Sequence, residues 1–160
     1  MPDDLYERDI LIWSEHQAQL LRRVAKGELV NGVDWDHVVE EIEDVGLSQL
    51  NAVESFLRLV IVHLLKIHGW PDSPTVGHWR GEVISFQRDL AKRFAPSMRQ
   101  KLDLADIYDV AREQTEVANY DGHPPLPPPE TCPFTLDQLL HERRPALESI
   151  LAAASSADQP

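Results

Sequence analysis

The chain has little cysteine, little glycine and little positive charge. Its 160 residues include a single cysteine, Cys132, so no intramolecular disulfide can form, which fits a reducing compartment. The seven glycines are scattered and form no glycine-rich phosphate loop. No Ser/His/Asp or Cys/His motif stands in a recognisable context. The sequence therefore carries no catalytic signature, and no cofactor is expected.

The charge balance and the apolar runs exclude two further classes of protein. Against 27 Asp and Glu there are only 15 Lys and Arg, a formal net charge of −12, which opposes binding to a polyanion, so no nucleic-acid partner is expected. The longest apolar stretch, "FLRLVIVHLLKI", is too short and too often interrupted to span a bilayer, so no membrane partner is expected. The N-terminal "MPDDLYERD" is acidic where a secretory signal is basic, which favours a cytoplasmic location.

Helical periodicity runs through most of the chain and predicts an all-α fold, a compact bundle of about five to six helices. A first helix is predicted from Asp3 or Asp4 to near Gly27. A long second helix is predicted from Asp34 to His68, with Gly69 as its C-cap. From Phe56 to Leu65 its apolar residues cover almost the whole circumference, which is typical of a central helix.

The rest of the chain carries clearer local signals. A third helix is predicted from Ser73, as N-cap, to Ala95, and a short helix and a further one over residues 103–119 follow. The stretch "YDGHPPLPPPETCPF" is too rich in proline for a helix and predicts an extended strap before the last helix. Thr135 and Gln138 form a capping box, and Pro145 is expected to break or kink that last helix. We predict one domain over residues 1–154 and a disordered tail over residues 155–160.

The stretch "HVVEEIEDVG", from His37 to Gly46, places a histidine beside four carboxylates. On a helical wheel the apolar residues of this stretch, with Trp35, cluster on one side, and the carboxylates occupy the opposite arc. A solvated helix face accounts for all of their positions. A weak metal site with two or three ligands is the alternative, and its candidate ligands are His37, Glu40 and Glu41. Trp13, Trp35 and Trp79 fall on apolar stripes and are expected in the core.

A basic segment follows the acidic one. Residues 73–101 carry six Arg and Lys against Glu82 and Asp89. An acidic face of the second helix and a basic face of the third could therefore pair inside one bundle, with Arg as the better partner for bidentate pairing with Glu.

Several segments together resemble a known bacterial family, the uncharacterised domain of unknown function 29. They are "YERDILIWSEHQAQLLR", "WDHVVEEIEDVG", "HLLKIHGWP", "HWRGEV", "APSM" and "CPFTLDQLL", and they follow the order of the family over residues 6–140. The resemblance implies an all-helical domain from a bacterium or cyanobacterium, and it implies no activity.

The resemblance also directs attention to particular polar residues. Because the family motif includes polar members of the acidic and "HLLK" blocks, it implies that Glu40, Glu41, His63 and Lys66 act together. One departure concerns the third helix, where the family pattern has an arginine two turns beyond the tryptophan and this chain has Gln87 beside Arg88. The full candidate polar cluster is Glu40, Glu41, Glu43, Asp44, His63, Lys66, Trp79 and Arg88.

Three functions remain open from the sequence. The first is a non-enzymatic helical interaction or regulatory protein that binds a protein partner or forms a homo-oligomer. The second is an enzyme or metal-binding protein that uses the Glu/His/Lys cluster. The third is an acidic, antitoxin-like partner of a basic protein.

Overall fold

The computed structural model of the protein describes residues 3–159, and describes side chains from Leu5 onward. Helices α1 (Asp3–Arg8) and α2 (Ile10–Ala25) precede a long helix α3 (Trp35–Gly69). Helix α4 (Val76–Arg93), a 3₁₀ helix (Pro96–Lys101) and α5 (Leu104–Glu116) follow. After the proline-rich segment come α6 (Leu136–His141) and α7 (Arg144–Ala157). The described residues form no strand, only an isolated bridge between Tyr120 and His123, so the all-α prediction is confirmed.

The described residues form eight helices, more than the predicted five to six, because two predicted helices are interrupted. Asp9 separates α1 from α2 and caps α2, where its side chain accepts a hydrogen bond from the backbone N–H of Ile12. The carboxylates of Asp3 and Asp4, predicted as caps, lie outside the described side chains.

The last predicted helix also divides. It is interrupted between His141 and Arg144, and Pro145 lies in the first turn of α7, so the break predicted from Pro145 is confirmed. Residues 155–157 belong to α7, and Ser155 is buried, so the predicted tail is wrong for this part of the chain.

The start of α4 also differs from its prediction. The helix begins at Val76, after Thr75, and Ser73 stands ahead of it in a turn. The Ser73 hydroxyl accepts a hydrogen bond from the backbone N–H of Thr75. Pro74 consequently lies outside the helix instead of at its first position.

The chain divides into two compact units that meet in sequence within α3, an N-terminal unit (Met1–Ser48) and a C-terminal unit (Gln49–Pro160). The prediction of a single domain over residues 1–154 stays a prediction. Helix α3 was predicted to be central, and its second half is buried in the C-terminal unit, where Val53, Leu57, Val60, Ile61 and Leu64 are fully buried.

The proline-rich segment is the predicted strap, and it lies on the end of α3. The backbone N–H of Leu126 donates to the carbonyl of Gly69 at 2.9 Å, and the Trp70 indole donates to the carbonyl of His123 at 2.9 Å. Further along, the Tyr108 hydroxyl donates to the Pro129 carbonyl at 2.6 Å. Because proline has no backbone N–H, the strap cannot pair all of its carbonyls by itself. The side chains of Trp70, directly after α3, and of Tyr108, in α5, donate to two of these carbonyls.

Gly69 is required for close approach and not for a left-handed turn. It has no positive φ, but a Cβ built on it would lie 2.7 Å from the Cβ of Pro125. Gly81, within α4, has open space around its missing Cβ. Replacement by alanine is therefore expected to have opposite effects on stability at these two glycines.

We predict that Gly81→Ala stabilises the protein and Gly69→Ala destabilises it. Alanine in a helix normally gains about 0.5–1 kcal/mol over glycine, and Gly81→Ala should show this gain. At Gly69 the clash with the strap should outweigh it and cost about 1–3 kcal/mol. Equilibrium urea unfolding measures both. Equal stabilisation by the two substitutions would show that the strap does not press on Gly69.

Candidate functional site

Asp34 organises a network of polar side chains in the N-terminal unit. Its Oδ2 accepts a hydrogen bond from Trp13 Nε1 at 3.1 Å and lies 2.7 Å from His37 Nδ1. Its backbone N–H donates to Gln17 Oε1 at 2.9 Å. Trp13 and Gln17 are both buried on α2, so Asp34 joins α2 to the first turn of α3. Burial raises the pKa of Asp34, but the hydrogen bonds from His37 and Trp13 outweigh it, and the net effect lowers that pKa.

Tyr6 links this network to the acidic block. Its ring stacks on His37, with ring centroids 3.9 Å apart, and its hydroxyl donates to Glu41 Oε1 at 2.6 Å. The hydrogen bond to Glu41, followed by burial and the neighbouring carboxylates, raises the pKa of Tyr6 to about 12. Tyr6 is therefore a neutral donor at physiological pH.

The four carboxylates of the acidic block divide into one paired and three exposed members. Glu41 is half-buried against Tyr6, whereas Glu40, Glu43 and Asp44 are exposed and make no hydrogen bond or ion pair with the described residues. Within residues 3–159, no group of three His, Cys, Asp or Glu side chains is arranged to hold a metal ion. The weak metal candidates His37 and Glu41 are brought together by Tyr6, and Glu40 faces solvent.

His63 and Lys66 have their contacts in the C-terminal unit. His63 Nδ1 lies 2.7 Å from the carbonyl of Leu59, and burial lowers the pKa of His63, which favours the neutral imidazole. The ammonium of Lys66 lies 5.4 Å from the ring centroid of Tyr120 and 6.0 Å from that of Trp79, a cation–π arrangement. That Glu40, Glu41, His63 and Lys66 act together stays a prediction.

The predicted core tryptophans do not all lie in the core. Trp13 and Trp79 are buried, as expected, but Trp35 is 54% exposed. Val39, Ile42 and Val45 follow it on one face of α3 and are 51%, 67% and 65% exposed. These four residues form a surface that we name the apolar stripe (Trp35, Val39, Ile42 and Val45). The expected apolar face exists, but most of it is not buried.

Gln87 and the basic residues of α4 contact the C-terminal helices. Gln87 Nε2 donates to the carbonyls of Leu139 and Glu142, at 2.9 and 3.0 Å, and so caps α6 at the position where the family resemblance led us to expect an arginine. Arg80 pairs with Glu148 of α7 at 2.9 Å, instead of with the acidic block as the sequence suggested. The neighbour of Gln87, Arg88, lines a cavity of about 420 Å³ together with Arg143 and Arg144.

The network residues Tyr6, Asp34 and Gln17 were not predicted as a site, and neither were Arg143 and Arg144. The aspartate before the second helix was interpreted only as a helix start. The sequence "HERRP" was available as a signal of local positive charge in an acidic chain, but its convergence with Arg88 depends on tertiary structure.

We predict that Asp34→Asn destabilises the N-terminal unit at pH 7 and that this effect shrinks in acid. Hydrogen bonds to a charged acceptor contribute about 1.5–3 kcal/mol, and the neutral amide loses part of that. Because the folded pKa of Asp34 is lowered, its contribution is present above the unfolded pKa and is lost as pH falls through the folded value.

Urea unfolding at pH 7 and near pH 3 measures the difference, and Glu43→Gln is the matched change of charge at an exposed site in the same unit. Equal effects of the two substitutions at pH 7, or a deficit for Asp34→Asn that is unchanged in acid, would contradict this assignment.

Comparison with known proteins agrees with the fold. No curated protein matches the chain. The crystal structure of an alpha-helical protein of unknown function from Rhodospirillum rubrum is similar, with a TM-score of 0.64 and 27% sequence identity over 97% of this chain and 98% of that one. The family model for the domain of unknown function DUF29 matches residues 5–144. Because that model covers most of the sequence, the chain belongs to the DUF29 family.

Proposed function

We propose that the protein is a non-enzymatic interaction protein of the bacterial cytoplasm, and that its N-terminal unit binds a partner protein through the apolar stripe. The proposal is based on the distribution of exposed apolar side chains. Of the thirteen large apolar side chains exposed in the described part of the chain, nine lie between Ile10 and Leu47. Among the described side chains of the same unit, only Trp13 and Val38 are buried apolar residues.

The amount of apolar surface fits a protein interface. A large aliphatic side chain contributes on the order of 60–120 Å² on full burial, as follows from ~1.5–3 kcal/mol at ~25 cal/mol per Å². The nine exposed residues of the N-terminal unit, each about half exposed or more, together present on the order of 500 Å², and the four of the apolar stripe present about half of that area. A standard interface buries about 800 Å² per partner, of which somewhat more than half is apolar. The N-terminal unit therefore exposes about as much apolar area as one side of such an interface uses.

The charge around the stripe favours a basic partner over a second copy of this chain. Asp36, Glu40, Glu43 and Asp44 are exposed on the same helix, and none has a hydrogen bond or ion pair within the described residues. Two copies would bring together chains of formal charge −12 each. A partner whose apolar contact surface is bordered by Lys or Arg would instead complement both features. We therefore propose a partner protein whose contact surface is apolar at its centre and basic at its edge.

We do not expect the long helix α3 to bind a membrane. No described helix combines the length and the apolar character that crossing a bilayer requires. The second half of α3 buries its apolar residues within the C-terminal unit. The exposed apolar residues of its first half lie among carboxylates, which an anionic lipid surface would repel.

Site-specific photo-crosslinking in the source organism is the test. With the photoreactive residue at Ile42, we expect one dominant crosslink to a basic protein. The same residue at Val117, which is exposed in the C-terminal unit, should give no such product. A dominant crosslink between two copies of this chain would contradict the basic partner, and identical products from both positions would contradict the stripe as the docking surface.

Reconstitution with the purified partner completes the test. We expect the double substitution Ile42→Ser with Val45→Ser to weaken binding at least about tenfold, because each half-exposed side chain should contribute on the order of 1 kcal/mol when covered. Val110→Ser with Val117→Ser is the matched control, since both residues are exposed apolar residues of the C-terminal unit. Equal loss in the two variants would place the interface elsewhere. Binding should also weaken as salt concentration rises.

A further inference from the structure

The cavity beside α6 and α7 is lined by three arginines, although the protein as a whole is acidic. Its volume is about 420 Å³, within the range of small-molecule sites. Its charged lining residues are Arg88, Glu142, Arg143 and Arg144, His141 is a further polar lining residue, and Ile84, Leu140 and Pro145 supply apolar surface. The lining residues of this cavity thus include three arginines and one carboxylate, Glu142. The backbone carbonyl of Glu142 accepts a hydrogen bond from Gln87 Nε2, which joins the C-terminal end of α6 to α4.

Two of the three arginines have no partner in the described part of the chain. Arg88 and Arg143 are exposed and make no hydrogen bond or ion pair there. Arg144 pairs with Glu148, but Glu148 also pairs with Arg80, so one carboxylate serves two guanidinium groups. The Nε of Arg144 is buried and has no hydrogen-bond partner. Burial and the neighbouring Arg80 lower the pKa of Arg144, as expected in a region of excess positive charge.

The start of α7 adds to this charge. Arg143 occupies its N-cap position without a side-chain capping bond, and no acidic residue lies in the first turn. The positive end of a 14-residue helix therefore lies at the arginines that line the cavity, without a compensating carboxylate in that turn. Guanidinium groups bind phosphate oxygens in a bidentate manner, and a helix N-terminus favours the same charge.

We propose that this cavity binds a small organic phosphate, whose phosphate group is held by Arg88, Arg143 and the start of α7 and whose organic part lies against Ile84, Leu140 and Pro145. The charge of the site selects an anion, and the fork geometry of two unpaired arginines favours the several oxygens of a phosphate monoester over a single-charge ion. The site is independent of the apolar stripe, because every residue that forms it belongs to the C-terminal unit.

Isothermal titration calorimetry on the full chain tests the proposal. The ligands are inorganic phosphate and phenyl phosphate, and chloride keeps the ionic strength constant. We expect both to bind and phenyl phosphate to bind more tightly, because its ring meets the apolar lining. Arg88→Gln and Arg143→Gln should each weaken phosphate binding about tenfold, the loss expected for one charge-assisted hydrogen-bonded pair. Lys101→Gln removes the same charge from an exposed position outside the cavity and should leave affinity unchanged.

Several results would overturn the proposal. They are no binding of phosphate beyond that of chloride, affinity unchanged in both arginine variants, and equal losses in all three variants. If benzoate bound as tightly as phenyl phosphate, the cavity would be a carboxylate site and the proposed phosphate ligand would be wrong. Because Arg88 and Arg143 are exposed, both variants should fold normally, and unchanged circular dichroism and melting temperature would confirm this.

Discussion

A segment that is rich in proline has few backbone donors, so its carbonyls have to accept hydrogen bonds from other parts of the C-terminal unit. The strap between Tyr120 and Phe134 contains six prolines. Its carbonyls accept from the Trp70 indole, the Tyr108 hydroxyl and the Arg112 guanidinium. These donors come from the end of α3 and from α5, so the strap fixes both helices to one another. The absence of a side chain at Gly69 lets the strap approach closely enough for this.

Much of the fold follows from local chemistry and was predictable. Thr135 and Gln138 form the expected capping box, and the prolines of the strap exclude helix where none is found. The interruption at Asp9 was missed because the apolar periodicity continues across it. At Asp9 a capping side chain interrupts a pattern of apolar residues that carries on at the same spacing. Hydrophobic periodicity reports which face of a helix is apolar, but it does not report what covers that face, and Trp35 was assigned to the core for that reason.

The candidate sites were less predictable, because they depend on residues distant in sequence. Arg88 and Arg143 converge on one cavity although 55 positions separate them. Asp34 was visible as a helix start, yet its role in joining Trp13, Gln17 and His37 needs the packing of α2 beside it. The two units also differ in kind. The C-terminal unit buries most of its large apolar residues in one core, whereas the N-terminal unit has a polar network and, among its described apolar residues, buries only Trp13 and Val38.

We propose that the apolar stripe is free in the isolated protein and is covered by the partner. Acrylamide quenching of Trp35 fluorescence tests it most directly, because Trp13, Trp70 and Trp79 are all buried. We expect one quenchable tryptophan in the free protein, absent in Trp35→Phe, which becomes protected when the purified partner is added in equal amount. A Trp35 that remains fully quenchable in the stoichiometric complex would show that the partner does not cover the stripe.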